Sequence, residues 1–356
     1  MNKEINHIRG KIDRIDGEIL RILNERASLT EQITHIKKNS RLSFYDPARE
    51  KIIIENLKKI NTGPLKDNDV EEAVSTIIKI CRNLVRPLRA AYLGPEATFS
   101  HLAAIETFGK QSETLSARNI QEVFNLVEKE IVDYGIVPIE NSIEGIVTHT
   151  IDMFIDSELK IIAENLLRVH LYLLSEEKNV KKIKKIFSLS QPLAQCRLYI
   201  REKFPDVEIV ETESTGAAAK KIKQIKGSAA IASKAAADLY GLNILDEKIE
   251  DNPQNFTRFL VISREFGKET GNDKTSILFT IKDRPGALHD MLVPFKTYGI
   301  NLTKIESRPT KKKPWEYIFF VDFEGYFTQP DVQNALKELE EKAIFIKILG
   351  SYPKEY

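Results

Sequence analysis

Apolar positions recur along the chain with different periods, and each period predicts a different kind of element. Ile5, Ile8, Ile12, Ile15, Ile19 and Ile22 follow one another at spacings of three and four. That is the seam of one long amphipathic helix. Continued, the seam reaches Arg26, Leu29, Ile33 and Ile36, so a guanidinium stands where an isoleucine is expected. A buried unpaired charge is costly, and Arg26 therefore needs an anion. That anion is either a glutamate of a neighbouring helix or the carboxylate of a ligand. Lys37, about three turns on, falls on the same face. A polar break follows at 38–43. Asp46 and Pro47 suit the N-cap and first position of a second helix, which Asn61-Thr62-Gly63-Pro64 ends. A third runs from about Asp67 to Val85, with Val70, Val74, Ile77, Cys81 and Leu84 as its seam.

After Pro87 short strands alternate with helices. The strands are 90–93, 131–137, 186–189, 229–232 and 260–262, and apolar helical stretches cover 101–108, 146–154 and 217–225. Such alternation predicts an α/β domain in two lobes with a cleft between them. Polar groups gather at the strand ends. Thr98 and Ser100 precede the first helix; Glu140, Asn141 and Ser142 follow a strand; Ser214 and Thr215 precede the alanine-rich helix; Thr257 and Arg258 open the last strand. Hydroxyls there cap helices, and helix N-termini also bind anions. Residues 264–274 read as a linker. Beyond it the order is βαββαβ: strands at 275–281, 302–307, 315–323 and 344–349, helices at 287–298 and 329–342. That is the ferredoxin-like order.

Composition narrows the function classes. Of 356 residues, 42% are hydrophobic and 29% charged, which suits two or three globular domains. With 53 basic against 52 acidic residues, neither nucleic acid nor a membrane surface is indicated as partner. Two distant cysteines suggest a reducing compartment, and no apolar run reaches membrane-spanning length, so a cytoplasmic protein is expected. The six histidines show no zinc-ligand spacing and no G-x-G-x-x-G follows a strand, so no metal or cofactor is expected.

Three resemblances follow from these segments. The long, short and medium helices with buried cations resemble the all-helical chorismate mutases. The resemblance implies a substrate site of Arg9, Arg26, Lys37, Asp46, Arg49 and Glu50, with Arg9 reaching into the partner subunit of a homodimer or higher oligomer. Cys81 and Val85 stand where that family has serine and a hydrogen-bond-donating glutamine. The helices are then either a weakened mutase or a dimerisation element. Gly94-Pro95-x-x-Thr98-Phe99-Ser100, Pro138-Ile139-Glu140-Asn141-Ser142-x-Glu144-Gly145, Gln195-Cys196, Glu213-Ser214-Thr215 and Asn255-Phe256-Thr257-Arg258-Phe259, in that order, resemble the prephenate dehydratases. Their fold is two-lobed and periplasmic-binding-like. The resemblance implies that Thr257 assists departure of the ring hydroxyl, with Glu140 as an alternative donor. Glu140, Asn141 and Gln195 would position the substrate, and Arg258 would bind a carboxylate or hold Thr257. Thr98, Ser100, Ser142, Ser214 and Thr215 would complete the site. Gly286-Ala287-Leu288 and Glu306-Ser307-Arg308-Pro309 resemble the amino-acid-binding ACT domains attached to those dehydratases, whose ligand is phenylalanine.

The implied whole is multidomain: a helical mutase segment at 1–88, an α/β dehydratase domain at 89–264 and an α+β ferredoxin-like ACT domain at 275–356. The implied small molecules are chorismate, prephenate and L-phenylalanine. A dehydratase without mutase activity and a non-catalytic sensor of a dianion and an amino acid are the competing readings.

Overall fold

A computed structural model describes residues 2–40, 44–282, 284–309 and 317–355. The chain divides into two compact units, 1–88 with 108–113, and 89–107 with 114–356.

The first unit is built on helices α1 (Asn2–Ser40), α2 (Pro47–Ile60) and α3 (Asp67–Val85). The polar stretch after Lys37 does not end α1 at 38, because Lys38, Asn39 and Ser40 still continue it. Asp46 caps α2 by accepting a hydrogen bond from Arg49 N at 3.0 Å, with Pro47 at the first position, as its residue types dictate. The isoleucine seam of α1 is exposed from Ile5 to Ile36.

The second unit starts with β1 (Arg89–Leu93), α4 (Phe99–Phe108), β2 (Glu113–Ala117), α5 (Ile120–Glu128), β3 (Tyr134–Asn141), β4 (Gly145–Ile146), α6 (Thr148–Asp156) and β5 (Lys160–Arg168). The chain then crosses to a second lobe of β6 (Tyr172–Ser175), β7 (Lys185–Ser188), α7 (Ser190–Gln195), α8 (Arg197–Lys203), β8 (Glu208–Glu211), α9 (Thr215–Ile222), β9 (Ser228–Ala232), α10 (Lys234–Tyr240) and β10 (Asn243–Glu247). It returns as β11 (Phe256–Ser263), which enters the first sheet between β3 and β5, antiparallel to both. The second sheet runs β10-β6-β9-β7-β8. Its central strand β9 is wholly buried, which explains the small residues Ser-Ala-Ala-Ile-Ala between helices on both faces.

A third sheet, β13-β14-β12-β15, is formed by β12 (Asp273–Thr280), β13 (Leu302–Pro309), β14 (Tyr317–Glu324) and β15 (Phe345–Pro353), with α11 (Ala287–Thr297) and α12 (Pro330–Lys342). Asp273 and Lys274 of the expected linker already belong to β12 and are buried. This sheet buries both faces. Ile277, Phe279, Val321 and Phe323 pack under its helices. Leu278, Phe320, Leu349 and Tyr352 join the core of the first lobe beside Ile161, Leu260 and Ile262. Gly350 permits the close approach of β15 to β5, since a Cβ there would lie 2.1 Å from the Ile161 carbonyl oxygen.

Candidate active sites

Between the two lobes lies a cleft of about 540 Å³. Thr257 on β11 stands opposite Asn141 on β3, and both side chains line it. The hydrogen bonds fix how these groups point. Asn141 Oδ1 accepts from Ile143 N and Glu144 N at 3.0 and 3.1 Å, so its amide nitrogen must face the other way. That nitrogen donates to Thr257 Oγ1 at 2.9 Å and to Asn255 Oδ1 at 2.9 Å. Asn255 Nδ2 in turn donates to Gln195 Oε1 at 2.9 Å. Thr257 is thus an acceptor from Asn141, which leaves its O–H hydrogen to point into the cleft. Gln195 spends its carbonyl on Asn255 and offers the cleft its NH₂. The chain Gln195–Asn255–Asn141–Thr257 links the second lobe to the first.

Helix N-termini converge on the same space. Thr98, Phe99 and Ser100 at α4, Thr148 and His149 at α6, and Ser214 and Thr215 at α9 all line the cleft. Unpaired N–H groups and aligned peptide dipoles make such ends receptive to anions. Ser214 caps α9 by accepting from Ala217 N at 3.0 Å, so its hydroxyl is structural as well as cleft-facing. Arg118 also borders the cleft and pairs with Glu122 at 3.1 Å.

Three residues expected at the substrate are elsewhere. Glu140 and Arg258 are register partners on β3 and β11, one residue from Asn141 and Thr257, and successive side chains of a strand face opposite ways. Neither lines the cleft. Glu140 pairs with Lys304 of β13 at 2.7 Å. Arg258, 3% exposed, donates to Glu164 Oε2, Asp322 Oδ2 and Tyr352 Oη at 2.7, 2.6 and 2.9 Å. Lys274 Nζ completes the cluster, 2.9 Å from Glu164. Burial pushes the Glu164 carboxyl up, but Arg258 and Lys274 outweigh it and the net shift is downward. Arg258 is therefore a buried tie between the first lobe and the small domain, turned away from the cleft lining. Ser142 is likewise turned to the backbone: its hydroxyl donates to Gln254 O and accepts from Phe256 N, both at 3.0 Å.

The helical unit holds a smaller pocket of about 130 Å³, lined among others by Arg26, Asp46, Arg49, Glu50 and Arg82. Arg26 Nη1 is buried there without a hydrogen-bond partner among the described residues. The glutamate of the neighbouring helix is already engaged, because Arg82 Nη1 donates to Glu50 Oε1 at 2.5 Å. Burial nonetheless holds the Glu50 carboxyl above its ordinary range despite the opposing pull of Arg82. Arg82 also donates to the Phe108 carbonyl at 2.9 Å and stacks over Tyr45 at 4.7 Å. Cys81 is buried in α3 and does not line the pocket; Arg82 does. One residue is about 100° of helix turn, enough to exchange core for pocket. Arg9 is exposed on α1, away from the pocket lining. The side chains of Lys37 and Val85 lie outside the described residues.

Comparison with known proteins gives three family matches in chain order: chorismate mutase type II over residues 8–86, prephenate dehydratase over 90–266 and ACT domain over 275–341. A bifunctional chorismate mutase/prephenate dehydratase of Aquifex aeolicus is 46% identical over 99% of this chain and 98% of its own. The chain belongs to the bifunctional chorismate mutase/prephenate dehydratase family. The Escherichia coli member is 33% identical over 98% of this chain and 96% of its own. The solved structure of an Arthrobacter aurescens prephenate dehydratase in complex with L-Phe superposes with a TM-score of 0.70 at 34% identity, covering 75% of this chain and 90% of that one.

Within this family member, the small domain has a pocket of about 280 Å³ lined by Gly286, Ala287, Leu288, Arg284, Tyr317 and Phe319, among others. Gly286 holds φ +77°, a conformation that favours glycine, and leads directly into α11. The segment Glu306-Ser307-Arg308-Pro309 does not line this pocket. It lies on the edge strand β13, where Ser307 and Pro309 are exposed and Arg308 is drawn to α6 by Asp152 at 2.6 Å. Four site residues were not singled out by the sequence reading. Asn255 opens the motif Asn255-Phe256-Thr257-Arg258-Phe259, which is the sequence signal for it, although no role attaches to it there; Arg82, Arg118 and His149 carry no signal beyond residue type. Among the described residues no helix is long and apolar enough to cross a membrane.

Proposed function

We propose that this chain rearranges chorismate to prephenate in its helical unit and converts prephenate to phenylpyruvate, water and carbon dioxide in the cleft. L-Phenylalanine bound by the small domain restrains the second step. The observation that carries this reading is the enforced orientation of Thr257. Its oxygen is held by Asn141, so its hydrogen is presented to the leaving ring hydroxyl. The Gln195 amide offers a second donor, and the three helix N-termini receive the two carboxylates of prephenate. As the C–O bond breaks, charge grows on the departing oxygen, and fixed donors stabilise it. Loss of carbon dioxide delivers the electron pair that makes the ring aromatic. Thr257 gives its hydroxyl proton to the departing oxygen, which leaves as water, and regains a proton from solvent, while Gln195 donates a hydrogen bond to the same oxygen.

In the helical unit the reaction needs only a held conformer and positive charge near the breaking ether oxygen. Arg26, Arg49 and Arg82 supply the cations, and the open Nη1 of Arg26 favours an active mutase over a purely dimerising role. The exposed isoleucine seam of α1 fits a second copy of the chain, which would bring Arg9 to its partner's pocket. The enzyme is then a cytoplasmic homodimer or a higher assembly, with domains at 1–88, 89–264 and 275–356. The test is phenylpyruvate formation from prephenate and, separately, from chorismate. Product from both supports the full reading; product from prephenate alone removes the mutase; product from neither removes the enzyme.

A further inference from the structure

Along β13, Leu302, Lys304, Glu306 and Arg308 are half-buried while the residues between them are exposed. Two of the half-buried side chains leave the small domain and hold segments that border the cleft. Lys304 Nζ lies 2.7 Å from Glu140 Oε1, and Glu140 precedes Asn141, the residue that orients Thr257. Arg308 Nη1 donates to the Thr148 carbonyl at 2.5 Å, and its Nη2 pairs with Asp152 at 2.6 Å. Thr148 itself lines the cleft at the N-terminus of α6. One face of one strand thus holds the residue next to Asn141 and the first turn of α6.

The interface also contains the Arg258–Glu164–Asp322–Lys274 cluster, and the two sets of bonds differ in kind. The cluster is sealed, each member at most 4% exposed. The β13 pairs are partly open: Glu140 and Asp152 keep 32% and 24% of their side-chain exposure. Water can replace a partner there, so these bonds can form and break without unfolding the interface. β13 is also the edge strand, hydrogen-bonded on one side only by β14.

We infer that Lys304 and Arg308 are positioning residues for the dehydratase cleft, and that β13 relays the ligand state of the small domain to it. The relay rests on the regulatory reading of the small domain; the positioning does not. When the pairs are made, Glu140 and the first turn of α6 are held, and with them Asn141 and Thr148. A shift of β13 that strains these pairs moves Asn141, which orients Thr257, or the α6 end that receives a carboxylate. Displacements of about 1 Å at such groups cost on the order of 10²-fold in rate.

The experiment uses the full-length chain and its K304M, K304R and D152N variants. Phenylpyruvate formation is followed with and without L-phenylalanine, and each protein is titrated with L-phenylalanine by calorimetry. Without L-phenylalanine, K304M should lose about tenfold in kcat with KM within about twofold, and K304R should recover most of it. K304M and D152N should bind L-phenylalanine within about threefold of wild type, yet need about tenfold more of it for half-inhibition. Wild-type kcat and KM in K304M, with only a lower melting temperature, would overturn the positioning role. Inhibition of both variants at wild-type concentrations would overturn the relay. A wild-type chain that binds no L-phenylalanine would remove the regulatory reading and the relay together, and kcat of K304M would then decide the positioning alone.

Discussion

Arg26 and Arg258 are both arginines placed where the chain pattern calls for something apolar or reactive, and both were expected to seek a carboxylate. Their surroundings differ completely. Arg258 spends its donors on Glu164, Asp322 and Tyr352 inside a sealed contact between domains. Arg26 keeps Nη1 buried at a pocket wall with no acceptor among the described residues, because Glu50 is taken by Arg82. Protein carboxylates meet the guanidinium of Arg258, whereas the buried Nη1 of Arg26 meets no acceptor among the described residues. The first arrangement holds the first lobe against the small domain, and the second leaves a buried donor at a pocket wall.

That contrast can be broken most sharply at Arg258. R258M takes the Arg258 cation from Asp322 and leaves Glu164 with Lys274, so it should destabilise the second unit by about 3–5 kcal/mol, read as the denaturant midpoint of the dehydratase transition. If R258M instead kept its stability and lost only prephenate affinity, the arginine would be a ligand group after all. R26M should do the opposite. Mutase kcat/KM should fall by about 10²–10³, with melting temperature unchanged or higher and dehydratase activity intact in the same sample.

The cleft offers the next step down. T257V removes the hydroxyl without changing shape, and dehydratase kcat should fall by about 10²-fold while mutase turnover stays constant. T257S should retain most activity. N255A cuts the chain between Gln195 and Asn141 and should cost about 1–3 kcal/mol of stability, since partners on both sides lose a hydrogen bond. Its kcat should drop less than that of T257V.

Acid gives the smallest effect and the clearest opposition of sign. The folded Glu164 carboxyl sits below its ordinary value of 4.5, so it contributes stability above that pH and loses it as pH falls through the depressed value. The folded Glu50 carboxyl sits above 4.5, so it opposes folding at neutral pH and relaxes as pH falls through the raised value. E164Q should flatten the acid limb of unfolding for the second unit, whereas E50Q should abolish the gain in helical-unit stability as pH falls through the raised Glu50 value, besides costing the Arg82 pair. Parallel pH profiles in the two variants would contradict the assignment.

Much of this was legible from residue order. The isoleucine spacing announced α1, Asp46-Pro47 announced the start of α2, and the βαββαβ order announced the small domain. Asn141, Gln195 and Thr257 were named as site residues, and they share one cleft. Errors fell where a single residue of register decides the outcome. Cys81 was read as facing the mutase pocket, and a turn of 100° gives that place to Arg82. Glu140 and Arg258 were read with their neighbours Asn141 and Thr257, yet strand alternation sends each pair to opposite faces. The short motif Pro138-Ile139-Glu140-Asn141-Ser142 therefore serves two surfaces, the cleft through Asn141 and the small domain through Glu140.

Sequence by itself determined the helices of the first unit, the βαββαβ order of the small domain and part of the two-lobed domain, because helical and strand periods are local and capping chemistry acts within a few residues; β2, α5, β5 and β6 were not among the elements it marked. It also determined that buried cations would need anions. Only the tertiary structure decided which anion each cation meets, since Arg258 and Asp322 are brought together by the packing of one sheet on another. It likewise decided the orientation of Thr257, because that depends on Asn255 and Gln195, whose positions follow from the return of β11 into the first sheet.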